Sequence, residues 1–195
     1  MTQLYAIVGS MERARLMLEA RVPVLQLRFK DRPLVPHGAE LRGWAARYPA
    51  TRLVINDDLD AALAAGAWGV HLGQEDLGRY SAERLRAAPL KLGISTHDDA
   101  EIARAKTYRP ALLGFGPVYA TATKPLAHAP QGVERLREVV LGAGLPVVAI
   151  GGIKEEHLAE VARTGVDYAA MISDLDRLTT AAQVRALMER LAAAA

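Results

Sequence analysis

The residues able to do chemistry fall in short clusters, and each cluster follows an apolar run. Gln26, Arg28 and Lys30 recur at a two-residue spacing, which puts them on one side of an extended chain. Two cations and an amide on the inner side of a buried strand need an anion. Phosphate or pyrophosphate suits them, with an arginine–carboxylate pair as the structural alternative. Asn56-Asp57-Asp58 and His71-Leu72-Gly73-Gln74-Glu75-Asp76 supply carboxylates from two successive loops. Taken together beside Arg28 and Lys30, Asp57, Asp58 and Asp76 can share a hard cation, and Mg²⁺ typically takes one or two carboxylates, water and substrate phosphates. Taken singly, Asp58 reads as a helix cap and Asp76 can be read the same way.

Further along, Gly93-Ile94-Ser95-Thr96-His97 offers a hydroxyl donor in Ser95, with Thr96 or His97 available to cap the next helix. His97 would serve as a general base only if something oriented it, and nothing near it in the sequence does so. The run Gly114 to Pro125 places small residues ahead of Thr121, Thr123 and Lys124, the composition of an anion-gripping loop. The irregular stretch from Tyr119 to Gln131 reads as a lid. Gly151-Gly152 and Ile172-Ser173-Asp174 close the series; glycine there lets backbone N–H groups approach a phosphate.

These clusters must be held by a regular scaffold. Strand-length apolar runs occur at Leu4–Val8, Val24–Arg28, Arg52–Asn56, Gly69–Leu72, Lys91–Ser95, Ala111–Gly116, Pro146–Ile150 and Tyr168–Ile172. Several are continuous Val/Ile/Leu runs, as expected for strands buried on both faces. Amphipathic stretches alternate with them: Glu12–Ala20, Gly38–Tyr48, Leu59–Ala65, Ser81–Ala88, Asp98–Thr107, Val133–Leu141, Glu155–Thr164 and Thr180–Ala193. Ser81 is placed to cap a helix start, and Gly66 and Gly165 to end helices. Strict alternation implies parallel strands with right-handed crossovers. Eight units imply closure into a single compact (β/α)8 TIM barrel over residues 1–195, with chemistry at the carboxyl ends of the strands. The alternative is an open doubly wound sheet.

Composition narrows the function. The 195 residues are 51% hydrophobic, with 24 basic and 22 acidic side chains, so no charge excess argues for nucleic acid. The absence of cysteine excludes disulfides and thiolate chemistry and fits a reducing, cytoplasmic setting. No apolar run approaches the ~18 residues of a membrane span, and Met1 to Val8 lacks the pattern of a signal peptide. A homo-oligomer is compatible with the sequence.

With these runs together, the sequence resembles the thiamine phosphate synthase family. The matching segments are Tyr5 to Ser10, Gln26 to Lys30, Ile55 to Asp58, Gly69 to Asp76, Gly93 to His97, Gly114 to Lys124, Ala149 to Ile153 and Met171 to Ser173, in family order and over nearly the whole chain. The resemblance implies a transferase of thiamine biosynthesis. It joins hydroxymethylpyrimidine pyrophosphate to thiazole phosphate, with Mg²⁺ as cofactor and pyrophosphate as leaving group, by dissociative substitution. It implies that Tyr5 and Gln26 meet the pyrimidine, and that Arg28, Lys30, Asn56 and Lys124 hold pyrophosphate. Asp57 and Asp76 would bind Mg²⁺, Ser95 would assist near the pyrophosphate, and Thr121, Thr123, Gly152, Ile172 and Ser173 would hold the thiazole phosphate. The catalytic group would be Arg28, Lys30, Ser95 and Lys124. The chain departs from the family at Asp174-Leu175, where an inward Asp would repel phosphate, and in a short stretch from Asp31 to Thr51, which bears on the second helix.

Two other readings remain at this level. A thiazole tautomerase would need an acid–base group and would turn attention to His97, but its relatives tend to lose the Thr-x-Thr-Lys signature that Thr121 to Lys124 retain. A non-catalytic binding module for thiamine precursors would explain the phosphate-ready loops but not the Asp57 and Asp76 pair.

Overall fold

The computed structural model describes residues 1–29, 34–121 and 129–194. Lys30, Thr123 and Lys124 lie outside the described residues, as does most of the 119–131 stretch read as a lid. The strands are β1 (Gln3–Val8), β2 (Val24–Leu27), β3 (Arg52–Asn56), β4 (Gly69–Leu72), β5 (Lys91–Thr96), β6 (Leu112–Phe115), β7 (Val147–Ala149) and β8 (Tyr168–Met171). They pair in sequence order, and β8 closes on β1 in parallel register, with Gln3 opposite Tyr168 and Ala6 opposite Met171. The closed barrel agrees with the sequence reading and excludes the open sheet.

The helices are α1 (Met11–Ala20), α2 (Gly38–Arg47), α3 (Leu59–Ala64), α4 (Ala82–Ala87), α5 (Asp99–Thr107), α6 (Gly132–Ala143), α7 (Leu158–Ala162) and α8 (Ala181–Ala193). The short 31–51 stretch still carries its helix, entered through a 3-10 turn at Val35–His37. Helix starts follow local chemistry. Ser10, Asp58, Ser81, Asp98 and Thr180 each accept a backbone N–H from three residues on, at about 1 kcal/mol per cap. Asp98, rather than Thr96 or His97, therefore caps α5. It precedes the first helical residue directly, so its carboxylate reaches the Glu101 N–H at 2.8 Å. Gly66 and Gly165 follow α3 and α7 with φ of +58° and +81°, where a side chain would be strained.

Two apolar layers hold the barrel. The larger lies between strands and helices, and takes Leu4, Ala6, Leu25, Leu27, Ile55, Leu72, Ile94, Leu113 and Phe115 from the outward faces of the strands. The smaller fills the interior with Tyr5, Ile7, Val24, Val54, Leu112, Val148 and Ala170. Burial on both faces explains the continuous apolar strands, and each fully buried aliphatic side chain contributes roughly 1.5–3 kcal/mol. At the amino end the exposed Arg52 donates to Tyr168 Oη at 2.5 Å and lies 5.2 Å from the Trp68 ring centre. The carboxyl ends of the strands form the mouth.

Candidate active site

One cavity opens at the mouth. It is lined by Tyr5, Ile7, Gln26, Arg28, Asn56, Asp57, His71, Ser95, Thr121, Gly152, Ile172 and Ser173 among others. It gathers the described residues singled out in sequence, with Asp76 set behind Asp57. The two-residue period of β2 does turn Gln26 and Arg28 inward, Arg28 standing just beyond the strand end.

The polar floor is a chain of hydrogen bonds. Gln26, 2% exposed, donates from Nε2 to Asn56 Oδ1 at 2.9 Å. Asn56 in turn donates from Nδ2 to Asp57 Oδ2. Tyr5 Oη is buried and has no hydrogen-bond partner among the described residues. Burial, reinforced by neighbouring Tyr168, raises its phenol well above the ordinary value, so it stays a neutral O–H donor. The Tyr5 and Tyr168 rings meet edge to face, 6.2 Å between centres.

Asp57 has a backbone φ of +62°, a region where Asp and Asn are enriched and where strain collects at functional sites. Its N–H donates to His71 O at 2.8 Å, which turns its carboxylate toward Asp76. Partial burial and then the Asp76 charge push the Asp57 carboxyl up to about 6, and Arg28 works against the rise. Asp76 accepts from Gly73 N–H at 3.1 Å and from Arg79 Nη1 at 2.8 Å. Two carboxylates in this relation fit a hard dication, because a bound cation would reverse the repulsion that lifts Asp57. Among the described residues no three His, Asp or Glu side chains cluster for a metal, so Mg²⁺ there would complete its shell from water and phosphate. Asp58 caps α3, accepting from Ala61 N–H at 2.8 Å, as its single reading required.

On the opposite wall, the chain after β6 lies against the chain after β7 as a hydrogen-bonded turn. Val118 N–H bonds Ile150 O and Tyr119 N–H bonds Gly151 O, both at 2.9 Å. Gly152 has φ of +65°, and a Cβ on it would stand 2.4 Å from Ala120 O; only glycine fits this contact. Tyr119 stacks on His157 at 3.9 Å and donates to Glu160 Oε2 at 2.8 Å, which anchors the chain just before Thr121. Asp174 turns away from the cavity: it accepts from Glu155 N–H at 2.9 Å and pairs with Arg177. The departure at Asp174 therefore brings no charge to the mouth.

Two histidines stand differently from the sequence reading, which gave His71 no role and His97 one only if something oriented it. His97 is oriented after all: Glu101 Oε2 lies 2.7 Å from its Nδ1 and accepts from its N–H at 2.8 Å. One turn of α5 separates them, a spacing visible in the sequence. His71 stands inside the barrel, with Nε2 2.9 Å from Ser95 Oγ, and burial lowers its imidazole to about 4, which keeps it neutral. Its parity with Gly69 and Gly73, opposite small Gly93 and Gly114, was the available signal.

The geometry can be set beside known proteins. The family model described as thiamine monophosphate synthase matches residues 4–175. A thiamine-phosphate synthase from Serratia proteamaculans (strain 568) is 42% identical over 174 residues, 87% of this chain and 82% of the relative. Another from Klebsiella pneumoniae is 43% identical over 196 residues, 98% of this chain and 91% of the relative. A solved thiamine phosphate pyrophosphorylase from Pyrococcus furiosus superposes with a TM-score of 0.79 at 31% identity, covering 97% of this chain and 96% of the other.

Proposed function

This chain belongs to the thiamine monophosphate synthase family and is a transferase; we propose that it joins hydroxymethylpyrimidine pyrophosphate to thiazole phosphate, releasing pyrophosphate and thiamine phosphate. The observation that carries this reading is the convergence on one cavity of Arg28 and Asp57 with its neighbour Asp76, facing the Gly151-Gly152 wall. An anion-and-cation site thus faces a second surface of glycine backbone, as two phosphorylated substrates require.

The residues divide by chemistry. Tyr5 Oη, buried without a partner among the described residues, and Gln26 meet the pyrimidine; an orphan hydroxyl costs roughly 1–3 kcal/mol until a ligand atom satisfies it. Arg28 and Asn56, with Lys30 and Lys124, hold the pyrophosphate. Asp57 and Asp76 hold Mg²⁺, which neutralises the charge that builds on the leaving pyrophosphate. Ser95 donates its hydroxyl to the same end of the substrate. Thr121, Thr123, Gly152, Ile172 and Ser173 receive the thiazole phosphate, Gly152 through close backbone approach. The C–O bond to pyrophosphate breaks toward a pyrimidine cation, and the thiazole nitrogen then forms the new C–N bond. A neutral ring nitrogen needs no base, so the site's task is to stabilise departing charge.

Purified protein is mixed with both substrates and Mg²⁺, with an EDTA control, and thiamine phosphate is measured. Metal-dependent product is expected. No product from folded protein that binds pyrophosphate would sink the reading. The oriented His97–Glu101 pair favours one other assay, thiazole tautomerisation, as the reaction to test in that event.

A further inference from the structure

His71 is a buried imidazole for which this substitution has no use as a base. The fold nevertheless makes room for it at the expense of two strands. A Cβ at Gly93 would stand 2.6 Å from His71 Nδ1, and one at Gly114 would stand 3.2 Å from its Cε1. Nδ1 is buried with no hydrogen-bond partner among the described residues. Among the described residues Nε2 meets Ser95 Oγ, at 2.9 Å.

The unpaired Nδ1 fixes the direction of that bond. An orphaned buried N–H is rarer than an acceptor left short of a donor. The bare lone pair therefore belongs on Nδ1 and the hydrogen on Nε2, so the ring donates and Ser95 Oγ accepts. The serine's own proton is then not given to His71 and is free for a ligand in the cavity that Ser95 lines. The neighbouring Gln74 holds the same residue by its backbone, donating from Nε2 to Ser95 O at 2.8 Å. The loop after β4 thus grips Ser95 beside the strand-borne imidazole.

We propose that His71 is a positioning residue: its Nε2–H fixes Ser95 Oγ and turns the serine hydroxyl proton toward the pyrophosphate end of the substrate. This rests on the synthase reading and adds to it the group that sets one of its donors.

Two measurements test it. In ¹⁵N-histidine-labelled wild-type protein, His71 should show the neutral tautomer with hydrogen on Nε2, and Ser95→Ala should shift that nitrogen's resonance. In kinetics, His71→Met should lower kcat about tenfold, the scale of one neutral hydrogen bond, while KM for thiazole phosphate stays within about twofold. His71→Gln, which keeps a donor at similar reach, should recover most of the loss. His71→Met should add nothing in a Ser95→Ala background, because the two act as one unit. A hydrogen on Nδ1, or losses that multiply in the double variant, would overturn the proposal. If His71→Met does not fold, the tautomer and the Gln variant still decide. Wild-type protein that makes no thiamine phosphate would sink the synthase reading instead, and the tautomer measurement separates that failure from failure of the His71–Ser95 bond.

Discussion

Replacing Asp57 with Asn should make the metal-free protein more stable at neutral pH while removing its response to Mg²⁺. Burial and the Asp76 charge raise the Asp57 carboxyl from 3.8 to about 6. A folded-state value above the unfolded one means that the native state holds the proton more tightly. The stability this provides is complete below about pH 4 and is lost as the pH rises through about 6. Above that, the folded protein carries an ionised carboxylate beside Asp76. Fully realised, the shift corresponds to about 3 kcal/mol. Asp57 is only half-buried, so solvent screening reduces this to about 1 kcal/mol, or roughly 2–4 °C in Tm for a chain of this length. Asn imitates the protonated acid, tolerates the φ of +62° that would strain Ala, and can still accept from Asn56 Nδ2. Thermal unfolding in EDTA at pH 8 should place Asp57→Asn above wild type, with the gap narrowing from about pH 6 toward pH 4. Mg²⁺ should raise the wild-type Tm and leave the variant's unchanged. A variant no more stable at pH 8, or a gap indifferent to pH, would refute the electrostatic argument. An equal Mg²⁺ response would remove Asp57 as a ligand.

Gly93→Ala puts a methyl 2.6 Å from His71 Nδ1 and 2.8 Å from Leu112 Cδ1. Overpacking there should cost about 1–3 kcal/mol in denaturant unfolding and lower kcat by displacing His71. Gly152→Ala forces a side chain at φ of +65° against Ala120 O and the Tyr119 carbonyl carbon. It should raise KM for thiazole phosphate about tenfold by pushing the β6 loop away, seen in steady-state kinetics. Arg13→Met is the contrasting case. Arg13 donates to Leu175 O and Leu178 O and so ties α1 to the chain after β8. Its loss should cost about 2 kcal/mol in calorimetry with kcat unchanged, since Arg13 does not line the cavity.

Much of the fold was legible because parallel barrel strands are buried twice over. Continuous runs such as Arg52–Asn56 and Gly69–Leu72 are hard to place elsewhere, and eight alternations leave little choice of architecture. Helix starts were legible where the capping side chain sits directly before the helix, as at Ser81. The cap of α5, not its start, differs from the sequence reading, because Thr96, His97 and Asp98 are all polar. Thr96 turned out to be buried, donating to Gly114 O at 2.9 Å, and only the bend of the chain decides which oxygen reaches Glu101 N–H.

The site divides along the same line. Residue type and strand parity by themselves determined that Gln26, Arg28, Asn56 and Ser95 share the barrel mouth, since alternation sends every second side chain inward and parallel strands all end on the same face; Asp57, the neighbour of Asn56, joins them through its φ of +62°. Tertiary structure alone decided how they meet: that Gln26 bonds Asn56, that burial and then the Asp76 charge lift Asp57, that Asp174 turns away from the cavity to the Glu155 N–H, and that His71 fits the space above two glycines to reach Ser95. Those are contacts across strands and loops. Their distances depend on barrel register and loop path, and neither is encoded in the local pattern of any one segment.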